Sequence, residues 1–523
     1  MAVFELIFEL VPELIFGIAF GEITAPPYVR IPCAIVAVIL ILITLRLLFP
    51  LKKPAEKKYR NRKETDMSFS KRILKYAAVH YREVVHTTLN PEGPGVVRIH
   101  LIPPKTVDGR IGDSVAIING QDIIPVSPSW GVLLCEFISH VNRYRGREIT
   151  DRDTADIISR TAAGVRKVFP FIGKKKIASD VYRIMDTFRH IAYNEPVDEE
   201  IGYMSIGQYA PYMRAPHRMD LMVSAMSQNG AWHCNQKCVH CYAAGQTLSG
   251  EKELSSLDWM HIIDKCRLAG VTQVTFTGGE PTMREDLVEL IEHAKWFVTR
   301  LNTNGRKLSP GLCARLRAAS LDSMQITFYS YDRDIHNALV GANGYDDTLN
   351  GIRNAVKAGI SVSVNTPLCT LNKDYVKTLE LLRDEGVIYV TCSGLITTGN
   401  AAFEKSVSLQ LSEEEITSVL RDAVKFCAEN GMQISFTSPG WIRQEVFDEL
   451  GISSPVCGAC LSNMAVTPGG NVVPCQSWLD SEPLGNMLSD NWENVWDSER
   501  CASIRAESAK MAGFCPLRKG EKE

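Results

Sequence analysis

Cys234-Asn235-Gln236-Lys237-Cys238-Val239-His240-Cys241-Tyr242 is the stretch from which the fold of this chain is read. Its cysteines stand in a C-x3-C-x2-C spacing, short enough for one loop to carry all three thiols. Four thiolates close an iron-sulfur cluster, so three on one loop hold a cluster with one iron open to a further ligand. An open iron implies chemistry. The same residues admit a second reading, a structural zinc site with His233 or His240 as fourth ligand, although zinc ligands usually come in paired short spacings.

About forty residues downstream, Thr277-Gly278-Gly279-Glu280-Pro281-Thr282 forms a glycine turn. The two segments, in this order, resemble the cluster loop and methionine-binding turn of the radical SAM superfamily. The resemblance implies a [4Fe-4S] cluster on Cys234, Cys238 and Cys241 whose free iron binds S-adenosylmethionine. In that family an electron passed through the cluster cleaves the cofactor to a 5'-deoxyadenosyl radical that abstracts hydrogen from substrate; the cofactor supplies the chemistry and the protein positions it. It also implies an electron donor of flavodoxin or ferredoxin type. By position in the family, Tyr242 directly behind the cluster loop is a cofactor contact. Gly278 and Gly279 offer carbonyls to the methionine ammonium, with Glu280 as their acidic companion. Thr327 stands where relatives often carry a serine that touches ribose or carboxylate. Asn304 and Asn365 are further contacts to ribose or carboxylate, or else turn-capping amides. His336 and Gly341 match a family run after the fourth strand, whereas Val340 occupies a region where relatives sometimes place an arginine. No catalytic acid or base is singled out.

Around these motifs the chain alternates strands and helices. Strands are expected near 219–226, 271–276, 298–302, 322–328, 360–366 and 388–395. Gly270, Gly359 and Gly386 sit where a helix ends and an apolar strand begins. Ser255 to Asp258 and Ser412 to Glu415 have capping-box spacing. The expected fold is α/β, a partial parallel (β/α)6 barrel over residues 218–440, with the cluster loop at the carboxyl end of its first strand.

Beyond the barrel, Cys457 and Cys460 form a C-x2-C pair, and Cys460 opens a C-x9-G-x4-C run through Gly470 to Cys475. This resembles the first half of the SPASM domain, as do Leu484-Gly485-Asn486 and Trp492 to Trp496. A full module would continue with several more cysteines; only Cys501 and Cys515 follow, and Arg518 stands where a partner of Cys515 is expected. The resemblance therefore implies a truncated, twitch-like module over 441–523. It would hold one auxiliary [4Fe-4S] cluster on Cys457, Cys460 and Cys475, with Cys515 rather than Cys501 as fourth ligand; structural zinc is the alternative. Cys33, Cys135, Cys266, Cys313, Cys369, Cys392 and Cys427 lie in apolar stretches and read as buried thiols, Cys392 close to the barrel mouth.

Residues 67–200 read as a small α+β domain. Val96 to Leu101 and Val115 to Ile118 are strand-like, and Asn119-Gly120 joins the second to Ile123-Ile124 as a two-residue hairpin turn. Helices are expected at about 129–143, 150–168 and 176–192, with Thr150 or Asp151 as an N-cap. The order resembles the winged-helix peptide chaperone of pyrroloquinoline quinone biosynthesis, in which a leader peptide adds as a strand to the sheet edge. A spacer domain is the alternative.

Residues 1–63 read as a membrane anchor with a basic linker. Ile31 to Phe49 is nineteen residues with one charge, Arg46, and is followed by Lys52, Lys53, Lys57, Lys58, Arg60, Arg62 and Lys63. That bias places the remainder in the cytoplasm. Residues 3–20 carry Glu5, Glu9 and Glu13 on one helical stripe and read as an interfacial helix, half of a hairpin, or a leader. A length of 523 residues exceeds one core, a net charge of −3 gives no reason to expect nucleic acid, and fifteen cysteines grouped this way indicate metal ligands in a reducing compartment.

The leading expectation is a membrane-anchored radical SAM enzyme that modifies a short ribosomally made peptide by thioether formation, carbon-carbon crosslinking or epimerisation. Alternatives are a radical SAM enzyme acting on a metabolite, such as a dehydrogenase or haem-pathway enzyme, and a non-catalytic membrane-associated electron-transfer protein. Gly278-Gly279-Glu280 argues against the last, since electron transfer needs no S-adenosylmethionine.

Overall fold

Val97–Ile102 is a strand buried along its whole length, which requires cover on both faces of its sheet. The cover comes from the chain's own helices on one side and from the foot of a barrel on the other. The computed structural model describes residues 70–518 apart from 90–95, 105, 108–109, 194, 198–201, 404–407 and 511–512. Within it, β1 (Val85–Leu89), β2 (Val97–Ile102), β3 (Ser114–Ile118) and β4 (Asp122–Val126) form an antiparallel sheet in chain order. Helices α1 (Pro128–Val141), α2 (Asp151–Val168) and α3 (Lys174–Ala192) follow, and Thr150 caps α2 in a full capping box. Ile118 pairs with Asp122, so the β3–β4 loop has three residues rather than the expected two. Asn119 and Gly120 still supply the two left-handed conformations, with φ 49° and 69°.

The second layer is parallel. Strands β5 (Arg218–Ser224), β6 (Gln273–Gly278), β7 (Val298–Thr303), β8 (Ser323–Thr327), β9 (Ser361–Pro367) and β10 (Tyr389–Ser393) coincide with the six expected strands. A seventh, β11 (Gln433–Phe436), pairs in parallel with β10. Outside run α4 (Ser256–Ala269), α5 (Leu287–His293), α6 (Pro310–Ala318), α7 (Arg333–Val340), α8 (Tyr345–Lys357), α9 (Tyr375–Asp384) and α10 (Glu413–Glu429). Ser255 and Ser412 each close a capping box, and Gly270 ends α4 in the left-handed region. The C-terminal module continues the same sheet past β5. Strand β12 (Asn463–Val466) pairs in parallel with β5, and β13 (Asn471–Val473) and β14 (Gly485–Asn486) return antiparallel.

The meander is fastened to the amino-terminal ends of the barrel strands. Arg98, 2 % exposed in its side chain, reaches Asp322 just before β8 with its Nε 2.8 Å from Oδ2. Its Nη1 donates to the Lys295 carbonyl at 2.8 Å and Nη2 to the Ser320 hydroxyl at 2.7 Å. His100 packs edge-on to Trp296 and bonds its carbonyl at 3.0 Å. The Gly120 carbonyl at the hairpin tip takes bonds from Gln273 and His217.

One expectation is corrected. The transmembrane anchor expected of the fold is not found: among the described residues no helix is long and apolar enough to cross a membrane. The segment read as the span, 31–49, and the acidic helix at 3–20 lie outside the described residues.

Candidate active site

The cluster loop leaves the carboxyl end of β5 and is gripped by two neighbouring loops. Lys237 and Val239 donate backbone bonds to the Val340 and Leu339 carbonyls at 2.9 and 3.0 Å. Asn400 donates its N–H to the Cys241 carbonyl at 2.9 Å and its side-chain amide to the Cys238 carbonyl at 3.1 Å. Gly341 and Gly399, both at positive φ, lie so close to the loop that a Cβ would collide with the carbonyls of Lys237 and of Cys241 and Tyr242. This fixes the loop backbone and so aims the three thiols.

They point into a cavity of about 600 Å³ inside the barrel. Burial pushes the Cys234 thiol up to about 12, and it raises Cys238 and Cys241 as well. The charges of Cys234 and Cys241 also act on Cys238, so the three lie within electrostatic reach of one another. Among the described residues no three His, Cys, Asp or Glu converge on a point as a single ion requires. The charge of a metal cluster held by the three cysteines would offset these shifts and keep them as thiolates. The Tyr329 hydroxyl supports this loop, lying 3.1 Å from His240 Nε2 and close enough to Cys238 to offset part of that thiol's upward shift. Burial lowers His240 to about 4, keeping its ring neutral.

All seven cofactor candidates line the same cavity: Tyr242, Gly278, Gly279, Glu280, Asn304, Thr327 and Asn365. Gly278 has φ 130°, and a Cβ on it would strike the Ser224 carbonyl of β5. The turn is thus glycine because it presses on the neighbouring strand. Glu280 is 1 % exposed and its carboxylate is heavily committed. It accepts from Thr282 N, Thr282 Oγ1, Thr303 Oγ1 and Asn304 N at 2.6 to 3.0 Å. Burial raises its pKa, and these bonds oppose the shift. It ties the turn after β6 to the end of β7. The Asn304 amide donates to Asn235 of the cluster loop at 2.6 Å, and Asn365 accepts from Thr391 at 2.8 Å. His336 is fully buried behind Phe328 and Tyr345, away from the cavity lining, and Cys392 is likewise buried off it.

The C-terminal module brings Cys457, Cys475 and Cys515 to the wall of this cavity. Burial pushes Cys475 up to about 12, with the charges of Cys515 and Cys457 adding to the shift. Cys460 is fully buried with φ 54° and does not line the cavity. The neighbouring Cys501 and burial raise it, and the charge of Cys475 reaches it as well; Cys501, with Arg505 Nη1 at 3.5 Å, is lowered by Cys460 and by Arg505. Residues that the sequence reading left out, Tyr329, Gln236, Asn400, Thr275, Arg218 and Arg300, complete the loop supports and the lining; for Thr275 and Arg300 strand alternation is a usable signal once the barrel closes.

Comparison with known proteins agrees with this site. Residues 233–382 match the radical SAM superfamily model, and residues 457–517 match an iron-sulfur cluster-binding domain, SPASM. The chain therefore carries a radical SAM domain followed by a SPASM domain, the composition of a radical SAM enzyme. Its cofactors are accordingly a [4Fe-4S] cluster, S-adenosylmethionine and auxiliary iron-sulfur chemistry. Among curated relatives, a probable GTP 3',8-cyclase of Methanopyrus kandleri is 37 % identical over 155 residues, 29 % of this chain and 49 % of that protein. The chain thus spans about half the length of that relative. An AdoMet-dependent heme synthase of Methanosarcina barkeri is 25 % identical over 304 residues, covering 54 % of this chain and 85 % of that one. Among solved structures, SuiB of Streptococcus suis bound to precursor peptide SuiA superposes with a TM-score of 0.51 at 13 % identity, over 75 % of this chain and 87 % of SuiB. That similarity establishes the fold.

Proposed function

We propose that this chain is a radical SAM enzyme that modifies a ribosomally made peptide. The bound cofactor would supply a hydrogen-abstracting radical; Cys234, Cys238 and Cys241 would hold its cluster, and the carbonyls of Gly278 and Gly279 would receive the methionine end. The protein's own part is to enclose the substrate beside that centre and exclude water from it.

The observation that carries the peptide reading is a second cavity, about 660 Å³, in the amino-terminal domain. Leu89, Val97 and Ile99 of the sheet, Leu134 and Phe137 of α1, and Phe188 of α3 line it. It opens beside β1, the edge strand of the meander. An apolar groove next to a sheet edge suits an extended peptide, whose main chain adds to the edge while alternate side chains fill the groove. The fold neighbour SuiB was solved with a precursor peptide, which supports the same reading. The experiment is to titrate the full chain with labelled short peptides encoded beside its gene and follow anisotropy. Micromolar or tighter binding is expected; no binding by any of them sinks the peptide assignment. The radical assignment has its own check: replacing Cys234, Cys238 and Cys241 by alanine should abolish 5'-deoxyadenosine formation, and persistence would overturn it.

A second reading, action on a tetrapyrrole-like metabolite, is favoured by the heme synthase relative, which is matched over 85 % of its length.

A further inference from the structure

We propose that Arg300 and Thr275 form a carboxylate-binding subsite for substrate in the barrel cavity, below the S-adenosylmethionine turn. The strand registers place it. Thr275 of β6 pairs with Asp220 of β5 on one side and with Arg300 of β7 on the other, and Arg300 pairs in turn with Ser323 of β8. This row lies three residues before Gly278 along β6, on the order of 10 Å deeper in the barrel. Thr275, Arg300 and Arg218 all line the cavity.

Within that row the charges do not close. Asp220 is 1 % exposed and is engaged by Arg218, with Nε 2.9 Å from its Oδ1. Arg300 is left over: among the described residues it has no hydrogen-bond or ion-pair partner. The Thr275 hydroxyl beside it, 2 % exposed, also has no partner. Two arginines against one aspartate leave one positive charge inside the barrel. Desolvation, together with the Arg218 charge, lowers Arg300 to about 10, as expected for a guanidinium lacking a full counter-ion. The charges that act on it are those of Arg218 and Asp220.

Arg300 is partly buried and opens onto the cavity, so its unpartnered guanidinium is available to a ligand there. Its planar fork matches a carboxylate in two parallel bonds, and the adjacent hydroxyl supplies a third donor. A single residual charge suits a monoanion better than a phosphate group, which carries more. The polar neighbours on the next layer, Asn302 and Gln325, are register partners and line the cavity, so the rest of the ligand meets amides. The inference rests on this cavity being the substrate chamber, but not on the substrate being a peptide. The carboxylate could be an acidic side chain or C-terminus of a peptide, or a propionate of a tetrapyrrole.

The test is calorimetric titration of the cluster-reconstituted full chain, saturated with S-adenosylmethionine, with N-acetylglutamate blocked as its α-amide, the neutral isostere N-acetylglutamine α-amide, propionate and inorganic phosphate. We expect the glutamate to bind about tenfold or more tightly than the glutamine, as a charge-assisted bond predicts. R300Q should erase that difference and R300K should restore part of it, with S-adenosylmethionine affinity in R300Q kept within twofold. Propionate binding as tightly as N-acetylglutamate would point to the metabolite source, and weaker binding to the peptide source; either supports the subsite. Equal binding of acid and amide, preference for phosphate, or an equal loss of S-adenosylmethionine affinity in R300Q would overturn it. If R300Q fails to fold, the wild-type comparison of acid with amide and the R300K result decide. Failure of the peptide titration on the amino-terminal groove would leave these outcomes unaffected.

Discussion

The Tyr329 hydroxyl links Cys238 to His240 from within the barrel wall. Hydrogen bonds to cluster sulfurs stabilise the more negative, reduced state. Tyr329→Phe should therefore lower the reduction potential of the radical SAM cluster while leaving the fold intact, measured by EPR-monitored redox titration; an unchanged potential would remove Tyr329 from the cluster's surroundings. Gly278 sets a different demand. Alanine there must adopt φ 130° with its Cβ against the Ser224 carbonyl, so Gly278→Ala should cost on the order of 1–3 kcal/mol in thermal or denaturant unfolding. The glycines were legible in the sequence as a turn, but the close contact of Gly278 with β5 was not. Cys460 teaches the same limit. Spacing grouped it with Cys457 and Cys475, whereas its φ of 54° and its nearness to Cys501 leave no trace in a spacing. Arg300, in Val298-Thr299-Arg300-Leu301-Asn302-Thr303, alternates like a residue facing solvent, and only closure of the barrel turns that face inward.

At the scale of elements, the clamp between β2 and the foot of the barrel is the feature most open to test. Arg98 alternates with apolar residues in Val97–Ile102, a pattern that predicts a wet face; the barrel covers that face instead, a long-range contact no local pattern encodes. Arg98→Ala would leave Asp322 largely buried without its cation. Removing one partner of a buried pair costs about 3–5 kcal/mol, so unfolding should shift by that order in urea. His100, lowered to about 3 chiefly by burial, and His86, lowered by burial and by the charges of His100, Arg98, Arg145 and Arg267, sit in the same interface. Both are neutral when folded and would take up protons on unfolding below their ordinary pKa near 6.5. Their contribution to stability is therefore full above pH 6.5 and declines as pH falls from there toward 3, by about 1.4 kcal/mol per pH unit for each histidine. Melting at pH 7.5, 6.5 and 5.5 should show this decline, and His100→Gln should flatten it; an identical slope in the variant would place the titration elsewhere. Of the six main barrel strands, β6, β9 and β10 were most legible, because each begins just after a glycine that ends the preceding helix. The seventh, Gln433–Phe436, is four residues long and half polar, below what periodicity can register.

For the whole molecule, the order of the described units along the chain was legible, but their placement was not, because it depends on buried side chains that meet across more than two hundred residues, as Arg98 and Asp322 do. That placement constrains any peptide substrate. The apolar groove lies on the face of the meander turned toward its own helices, while the cluster loop stands at the opposite, carboxyl end of the barrel strands. A peptide anchored in the groove must pass the thickness of the sheet layer, about 10 Å, and then the height of the strands, about 20 Å. At roughly 3.3 Å per extended residue, at least about ten residues must separate the anchored segment from the residue that is modified. Substrates whose spacer is shortened below about ten residues should keep their affinity in anisotropy titrations but lose modification, read as the product mass shift under reducing conditions. Lengthening the spacer with glycine and serine should restore modification at little cost in affinity, because the entropy of a flexible loop grows only slowly with its length. Full modification of a peptide with a five-residue spacer would show that the bound segment does not occupy the groove of the amino-terminal sheet, even if binding itself is tight.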